Sequence, residues 1–179
     1  DPPVVEFALG RGPGLVELQW QPVPGADGYV VYVSADGWDW DRAEARYVTE
    51  TNFMAGELQG PAYVRVHAWN AANGEGTGSA VVASSADPGE SRVLIVDGNE
   101  RWLADPSPEN TRPLSGDFVV QHAEALPPGQ SFDTARASSV VDGLVALEDY
   151  DAVLWALGEE STAHESFSAS EQGLVRDYV

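Results

Sequence analysis

The sequence predicts a chain of two folded parts: an all-β sandwich, then an α/β domain on a parallel sheet. Three observations predict it. Residues 4–84 are short alternating apolar segments broken by Gly, Pro and Asp at the intervals of a sandwich. Residues 85–91 are small and polar and carry Pro88-Gly89, the composition of a domain boundary crossed by few contacts, and the stretch is so short that the two parts are expected to touch. Beyond them, β-branched runs alternate with helical patterns, as strands joined by crossover helices do. The chain has 179 residues, which suits two parts of about 90 residues each. The boundaries are a sandwich over 1–84, a linker over 85–91 and an α/β domain over 92–179.

Charge narrows the partners. Asp and Glu number 29 against 9 basic residues, all Arg, for a formal net charge of -20. Such a chain repels phosphate backbones and anionic lipid surfaces, so nucleic acid is excluded as a partner. No apolar run approaches the ~18 residues of a membrane span, so membrane insertion is excluded too. Cations and neutral ligands such as glycans remain. Without Cys there is no disulfide, thiolate metal site or cysteine nucleophile within these residues. The chain opens on Asp1 rather than Met, and the expectation is that an upstream segment has been removed.

The sandwich strands are expected at Val4 to Ala8, Leu15 to Trp20, Gly28 to Ser34, Ala45 to Thr49, Asn52 to Ala55, Ala62 to Asn70 and Ser79 to Ala83. In Leu15 to Trp20 a period of two puts Val16, Leu18 and Trp20 on one face, and Trp20 becomes a core residue. With Trp20, Tyr29, Tyr32 and Leu58, and the run from Tyr63 to Ala68 followed by Asn70, Gly74, Gly76 and Ser79, this half resembles the fibronectin type III family. The resemblance implies a fold and no activity, since such modules act as spacers or adhesive surfaces.

Between the third and fourth strands, Asp36-Gly37-Trp38-Asp39-Trp40-Asp41 interleaves three carboxylates with two indoles. Carboxylate oxygens suit calcium. Their spacing matches no calcium motif, and a solvated turn is the expected reading. Trp38 and Trp40 could stack on a sugar; packing against the sandwich is the plainer account. His67 has no acidic or Cys neighbour at ligand spacing and reads as structural.

In the second half, Arg92 to Asp97 is a β-branched run that fits a strand buried on both faces. Residues 99–116 read as a long surface loop. Phe118 to Leu126 reads as a helix ended by Pro127-Pro128-Gly129, Ser131 to Ala135 as a second strand, and Ser138 to Leu147 as a short helix interrupted by Gly143. Ala152 to Leu157 is a third, buried strand. Ser168 to Val179 starts a helix with Ser168 as N-cap and Glu171 at the capping-box position. Doubly wound sheets need more than three strands, so the domain is expected to be incomplete, its remainder lying in the polypeptide beyond Val179.

Ligands of open α/β sheets sit outside the carboxyl ends of the strands. The ends of the first and third strands should lie side by side, which would gather Asp97, Asn99, Arg101 and Trp102 near Gly158, Glu159, Glu160 and Ser161. Glu159 or Glu160 would serve as general acid or base, with Asp97 and Arg101 completing the catalytic group. Asn99, Trp102, Gly158 and Ser161 would bind ligand. An ion-paired loop fixing the sheet edge accounts for the same residues without chemistry. Glu160 and His164 alone fall short of a metal site, so no metal ligands are assigned. Ser161 lies in no nucleophile elbow, and no phosphate-cradling glycine loop occurs. No cofactor is expected, with calcium left open.

Val93 to Gly98 with Arg101-Trp102, Phe132-Asp133, and Tyr150 to Trp155 with Gly158 to Ser161 carry a second resemblance. Residues 92–179 are similar to the glutamine-amidotransferase-like, flavodoxin-like fold. Such domains accompany fibronectin modules in exported bacterial proteins labelled xanthan lyase or N-acetylmuramoyl-L-alanine amidase. The resemblance implies an α/β three-layer parallel sheet, incomplete here, in a secreted or cell-surface protein of carbohydrate or cell-wall processing. In that family the loop after the third strand helps form an oxyanion hole, a role that Gly158 matches. Glu159 and Glu160 would repel an oxyanion, which speaks against amidotransfer. The leading expectation is a support or binding fragment, inactive alone. The alternatives are a hydrolase or lyase on polysaccharide or peptidoglycan, its site completed beyond Val179, and an adhesin stiffened by calcium.

Overall fold

The computed structural model describes residues 1–40, 43–87, 89, 91–98, 118–157 and 166–179. The first half holds β1 (Val5–Gly12), β2 (Leu15–Trp20), β3 (Gly28–Ser34), β4 (Glu44–Val48), β5 (Asn52–Ala55), β6 (Ala62–Asn70), β7 (Gly74–Gly78) and β8 (Val82–Ser84). The second holds β9 (Arg92–Asp97), α1 (Phe118–Glu124), β10 (Ser131–Arg136), α2 (Ala137–Val141), a 3-10 turn (Leu147–Asp149), β11 (Ala152–Ala156) and α3 (Ala169–Tyr178). No helix among the described residues is long and apolar enough to cross a membrane.

Sheets β1-β2-β5 and β4-β3-β6-β7 face each other as a fibronectin type III-like sandwich. Period-two patterning builds its core: Val16, Leu18, Trp20, Val31, Val64 and Val66 all point inward. Trp20 is buried as expected and meets Tyr29 edge-on, with ring centroids 5.4 Å apart. The Tyr29 hydroxyl accepts the Val23 backbone N–H at 2.9 Å and anchors the turn between β2 and β3.

One sandwich strand lies elsewhere than expected. In place of Ser79 to Ala83 the chain forms β7 and β8, both paired with β6. The glycines of β7 hide the strand from any alternation rule, yet they make room for a neighbour. A Cβ at Gly78 would lie 2.4 Å from His67 Nε2, so the imidazole rests on bare backbone.

In the second half β10, β9 and β11 are parallel, with β9 in the middle. Alternate side chains of β9 enter two cores. Leu94 and Val96 pack with α2, the 3-10 turn and part of α3; Val93 and Ile95 pack with α1. These are the expected helix-covered layers, but the sheet is mixed rather than purely parallel, because β10 also pairs antiparallel with β1 at Phe7 to Ala135 and Ala8 to Thr134. The six-stranded order is β11-β9-β10-β1-β2-β5, so one sheet runs through both halves. The two parts, expected to touch across a short linker, meet through this shared sheet.

A bulge lets β1 serve both halves. Val5 pairs with Trp20 and Phe7 with Gln19, leaving Glu6 as the extra residue. The shift sends Val5 and Ala8 into the sandwich core and Phe7 and Leu9 into the core beneath α2. Six successive residues of β1 are consequently buried, where a sandwich strand with one wet face would alternate.

The short helix predicted over Ser138 to Leu147 stops at Val141, and Gly143 at φ +73 turns the chain out of it. At α3 the expected cap is present: the Ser168 hydroxyl accepts from Glu171 N–H, and the Glu171 carboxylate accepts from Ser168 N–H. Ala152 to Leu157 is not the fully buried strand expected. Among the described residues β11 is outermost, and its side chains from Val153 to Ala156 are half-buried.

Candidate functional site

β9 and β11 run parallel in a register that pairs Asp97 with Ala156. Their carboxyl ends therefore lie side by side, as the crossover rule requires. Past Asp97 the Gly98 N–H donates to the Ala156 carbonyl at 2.8 Å and extends the pairing by one residue. A side chain at Gly98 would force the Trp155 indole to shift, since a Cβ would fall 2.9 Å from Trp155 Nε1 and 3.2 Å from the Ala156 carbonyl oxygen. The Trp155 ring leans on Phe167 with centroids 5.3 Å apart, which closes one side of the strand ends.

Of the predicted site, Asp97 stands at the carboxyl end of β9, opposite Ala156. Asn99, Arg101, Trp102, Gly158, Glu159, Glu160 and Ser161, with His164, lie outside the described residues.

A second constellation, not anticipated from sequence, lies toward the other end of the strands. Asp133 on β10 is 3% exposed, and its carboxylate takes four donors. Oδ1 accepts from Gly10 N–H at 2.7 Å and from Ser84 Oγ at 2.7 Å. Oδ2 accepts from Arg92 Nη2 at 2.5 Å and from the Tyr150 hydroxyl at 3.0 Å. Arg92 also lies over the Tyr150 ring, 4.8 Å from its centroid. Burial, and then the Asp133 charge, push the Tyr150 hydroxyl well above the ordinary tyrosine range. A carboxylate with four donors has little left for substrate, so this cluster is a joint between β1, β8, β9 and β10. Its signal in the sequence is a lone acid at the centre of a short apolar strand, Ser131-Phe132-Asp133-Thr134-Ala135.

Glu6, at the bulge, is the other buried carboxylate of the seam. It accepts from Gln21 Nε2 at 2.7 Å and from Ser139 Oγ at 2.6 Å. The same Ser139 hydroxyl lies 2.9 Å from the Glu6 carbonyl. Both carboxylates thus tie the sandwich sheet to the helix-bearing half.

The acidic loop after β3 is built as a turn. Asp36 Oδ1 accepts from the backbone N–H groups of Trp38 and Asp39, each at 2.9 Å. These hydrogen bonds, that from Asp39 foremost, hold the Asp36 carboxyl below the usual range. Asp41 lies outside the described residues, and among the described residues no three His, Cys, Asp or Glu side chains form a metal cluster. The indoles divide: Trp40 packs beneath the Arg65 guanidinium at 4.6 Å, while Trp38 is 47% exposed and donates to Glu124 Oε1 at 2.7 Å. His67 does have an acidic neighbour, contrary to the sequence reading. The β6–β7 hairpin brings Glu75 Oε1 to 2.9 Å from His67 Nδ1, and Glu75 Oε2 accepts from the Tyr32 hydroxyl at 3.0 Å.

No protein-family model matches the sequence, and no curated protein matches it. Three solved structures are similar over about half of the chain. The chicken CNTN1 FN1-FN3 domains are 18% identical, covering 49% of this chain and 32% of that one, with a TM-score of 0.44. A beta-1,2-glucanase from Parabacteroides distasonis is 23% identical, covering 50% of this chain and 13% of that one, with a TM-score of 0.43. The fn3 domain of human contactin 1 is 17% identical, covering 51% of this chain and 81% of that one, with a TM-score of 0.44. This chain thus spans less than two thirds of the first two, and its similarity to solved fibronectin type III structures extends over about half its length.

Proposed function

We propose that this chain is a support element of an exported modular protein of carbohydrate or cell-wall processing. In this reading the fibronectin type III-like half braces a partial flavodoxin-like half and fixes the crevice at the ends of β9 and β11. The observation that carries it is the seam: β1 pairs with both β2 and β10, and Asp133 binds donors from both halves. A flexible spacer would need no buried carboxylate shared between modules. The order β10-β9-β11 with helices on both faces supports the flavodoxin-like reading. The carbohydrate or cell-wall setting comes from the resemblance of the sequence.

Denaturation tests the support role. Circular dichroism at a strand-sensitive and a helix-sensitive wavelength should give one coincident transition, and two separate transitions would sink the reading. The alternative hydrolase is favoured by Asp97, which ends β9 beside Ala156. It predicts that Glu159→Gln and Glu160→Gln abolish turnover of a polysaccharide or peptidoglycan panel by the full-length protein. Unchanged turnover would remove it.

A further inference from the structure

The edge of the sandwich between β4 and β5 is lined unlike the rest of its core. Register places Val48, Arg46 and Glu44 of β4 beside Tyr29, Val31 and Val33 of β3, on the face turned toward the core. Phe53 and Ala55 of β5 stand on the core face of the other sheet, beside Leu18 and Val16. Apolar side chains at 44 and 46 would continue the core. Glu44 and Arg46 do not: Arg46 Nη2 donates to Glu44 Oε2 at 2.7 Å, both side chains stay in water, and a cleft of about 470 Å³ opens beside them. Val33, Phe53 and Leu58 form the apolar part of its lining.

The loop from β5 to β6 crosses between the sheets and lines the same cleft. In it Glu57 has φ +61, a left-handed backbone that residues other than glycine seldom adopt. The Leu58 N–H donates to the Gly14 carbonyl at 3.2 Å, and Gln59 Nε2 donates to the Glu57 carbonyl at 3.3 Å; these bonds hold the loop in that shape. Inward charges also shield an edge strand from pairing. Shielding gives no reason for a left-handed Glu57 on the same cleft, and strain of this kind concentrates where ligands are held.

The lining selects the ligand. Glu44, Arg46, Glu57 and Gln59 offer hydrogen-bond donors and acceptors together, beside an apolar surface that includes the Phe53 ring. Two carboxylates against one guanidinium, on a chain of charge -20, oppose an anion. A cation would use the carboxylates and leave the guanidinium and the apolar surface unused. A sugar ring uses all of them: its C–H face lies against apolar side chains, while neighbouring hydroxyls donate to carboxylates and accept from guanidinium and amide. The volume falls within the roughly 300–1,000 Å³ of small-ligand sites. We infer that the cleft between β4 and β5 binds a neutral saccharide, with Glu44, Arg46, Glu57 and Gln59 fixing its hydroxyls. This goes beyond the support role, which rests on the seam between β1 and β10; the cleft lies at the β5 edge of the six-stranded sheet, away from that seam.

Amide NMR of the isotope-labelled protein, titrated with cellobiose, maltose and N,N′-diacetylchitobiose, tests the inference. At least one of these neutral disaccharides should shift the amides of Arg46, Phe53, Leu58 and Gln59 at millimolar concentration, and glucuronate should not. Glu57→Gly and Gln59→Ala should each weaken binding about tenfold, the loss expected when a hydrogen bond to ligand is removed. Glu57→Gly should do so without lowering the thermal midpoint, because glycine takes the left-handed backbone freely, which separates a lost ligand contact from a damaged fold. Shifts elsewhere or none at all, equal binding of glucuronate, or wild-type affinity in either variant would overturn the inference. Failure of the support role would show instead as separate unfolding transitions, whatever the sugars do.

Discussion

The Asp133 carboxylate accepts the backbone N–H of Gly10 at 2.7 Å across 123 positions of sequence, from the middle of one half to the first strand of the other. Ser84, Arg92 and Tyr150 complete its shell. Asp133→Ala would remove the carboxylate that pairs with the Arg92 guanidinium and leave the buried Gly10 N–H without its acceptor. Breaking a buried pair by removing one member costs about 3–5 kcal/mol. Guanidinium denaturation should show this loss in a single transition, with the strand and helix signals shifting together.

Ser139→Ala tests the second tie. It removes a hydroxyl that serves the Glu6 carboxylate at 2.6 Å and leaves that buried acid, among the described residues, with Gln21. A lost partner for a buried charged group costs about 1–3 kcal/mol. The measurement is again the denaturation midpoint, and Ser138→Ala beside it is the control, since the Ser138 hydroxyl has no hydrogen-bond partner among the described residues.

Alkaline pH should unfold the protein partly through Tyr150. Its folded pKa lies above the ordinary 10.0 because burial and Asp133 both disfavour the phenolate. A group with a raised folded pKa contributes stability that is complete below its unfolded pKa and lost as pH rises past it. Stability should therefore fall as pH climbs above 10.0, and Tyr150→Phe should flatten that fall while lowering stability at neutral pH. A slope unchanged by the substitution would contradict the assignment.

Ser168→Ala removes the hydroxyl that caps α3, and with it half of the capping box. The cost is about 1 kcal/mol. It should appear as faster amide exchange in the first turn of α3, at Glu171 and Gln172, with little change in the sandwich. Glu171→Ala, which removes the reciprocal bond at Ser168 N–H, should give a similar pattern.

Much of this architecture is legible along the chain because local patterning writes it there. Alternation in Leu15 to Trp20 places Trp20 in a core, the β-branched run of β9 marks a strand covered on both faces, and Ser168 with Glu171 announces α3. The meeting of the ends of β9 and β11 follows from parallel crossovers, so the neighbourhood of Asp97 is readable too. Strand β7 is not, because Gly74, Gly76 and Gly78 have no side chains to alternate and are held by pairing with β6.

The sequence by itself determined the period-two sandwich strands, the β-branched run of β9 and the parallel strand ends that meet at Asp97 and Ala156. Only the tertiary structure decided that the two halves share one sheet. Antiparallel pairing of β1 with β10 depends on backbone groups more than a hundred residues apart, and no window of sequence contains both. The bulge at Glu6 is what permits it, shifting the inward face of β1 by one residue so that Val5 and Phe7 enter different cores. Asp133, a lone acid in an apolar strand, acquires its meaning there, as the carboxylate that satisfies donors from both sides of the seam.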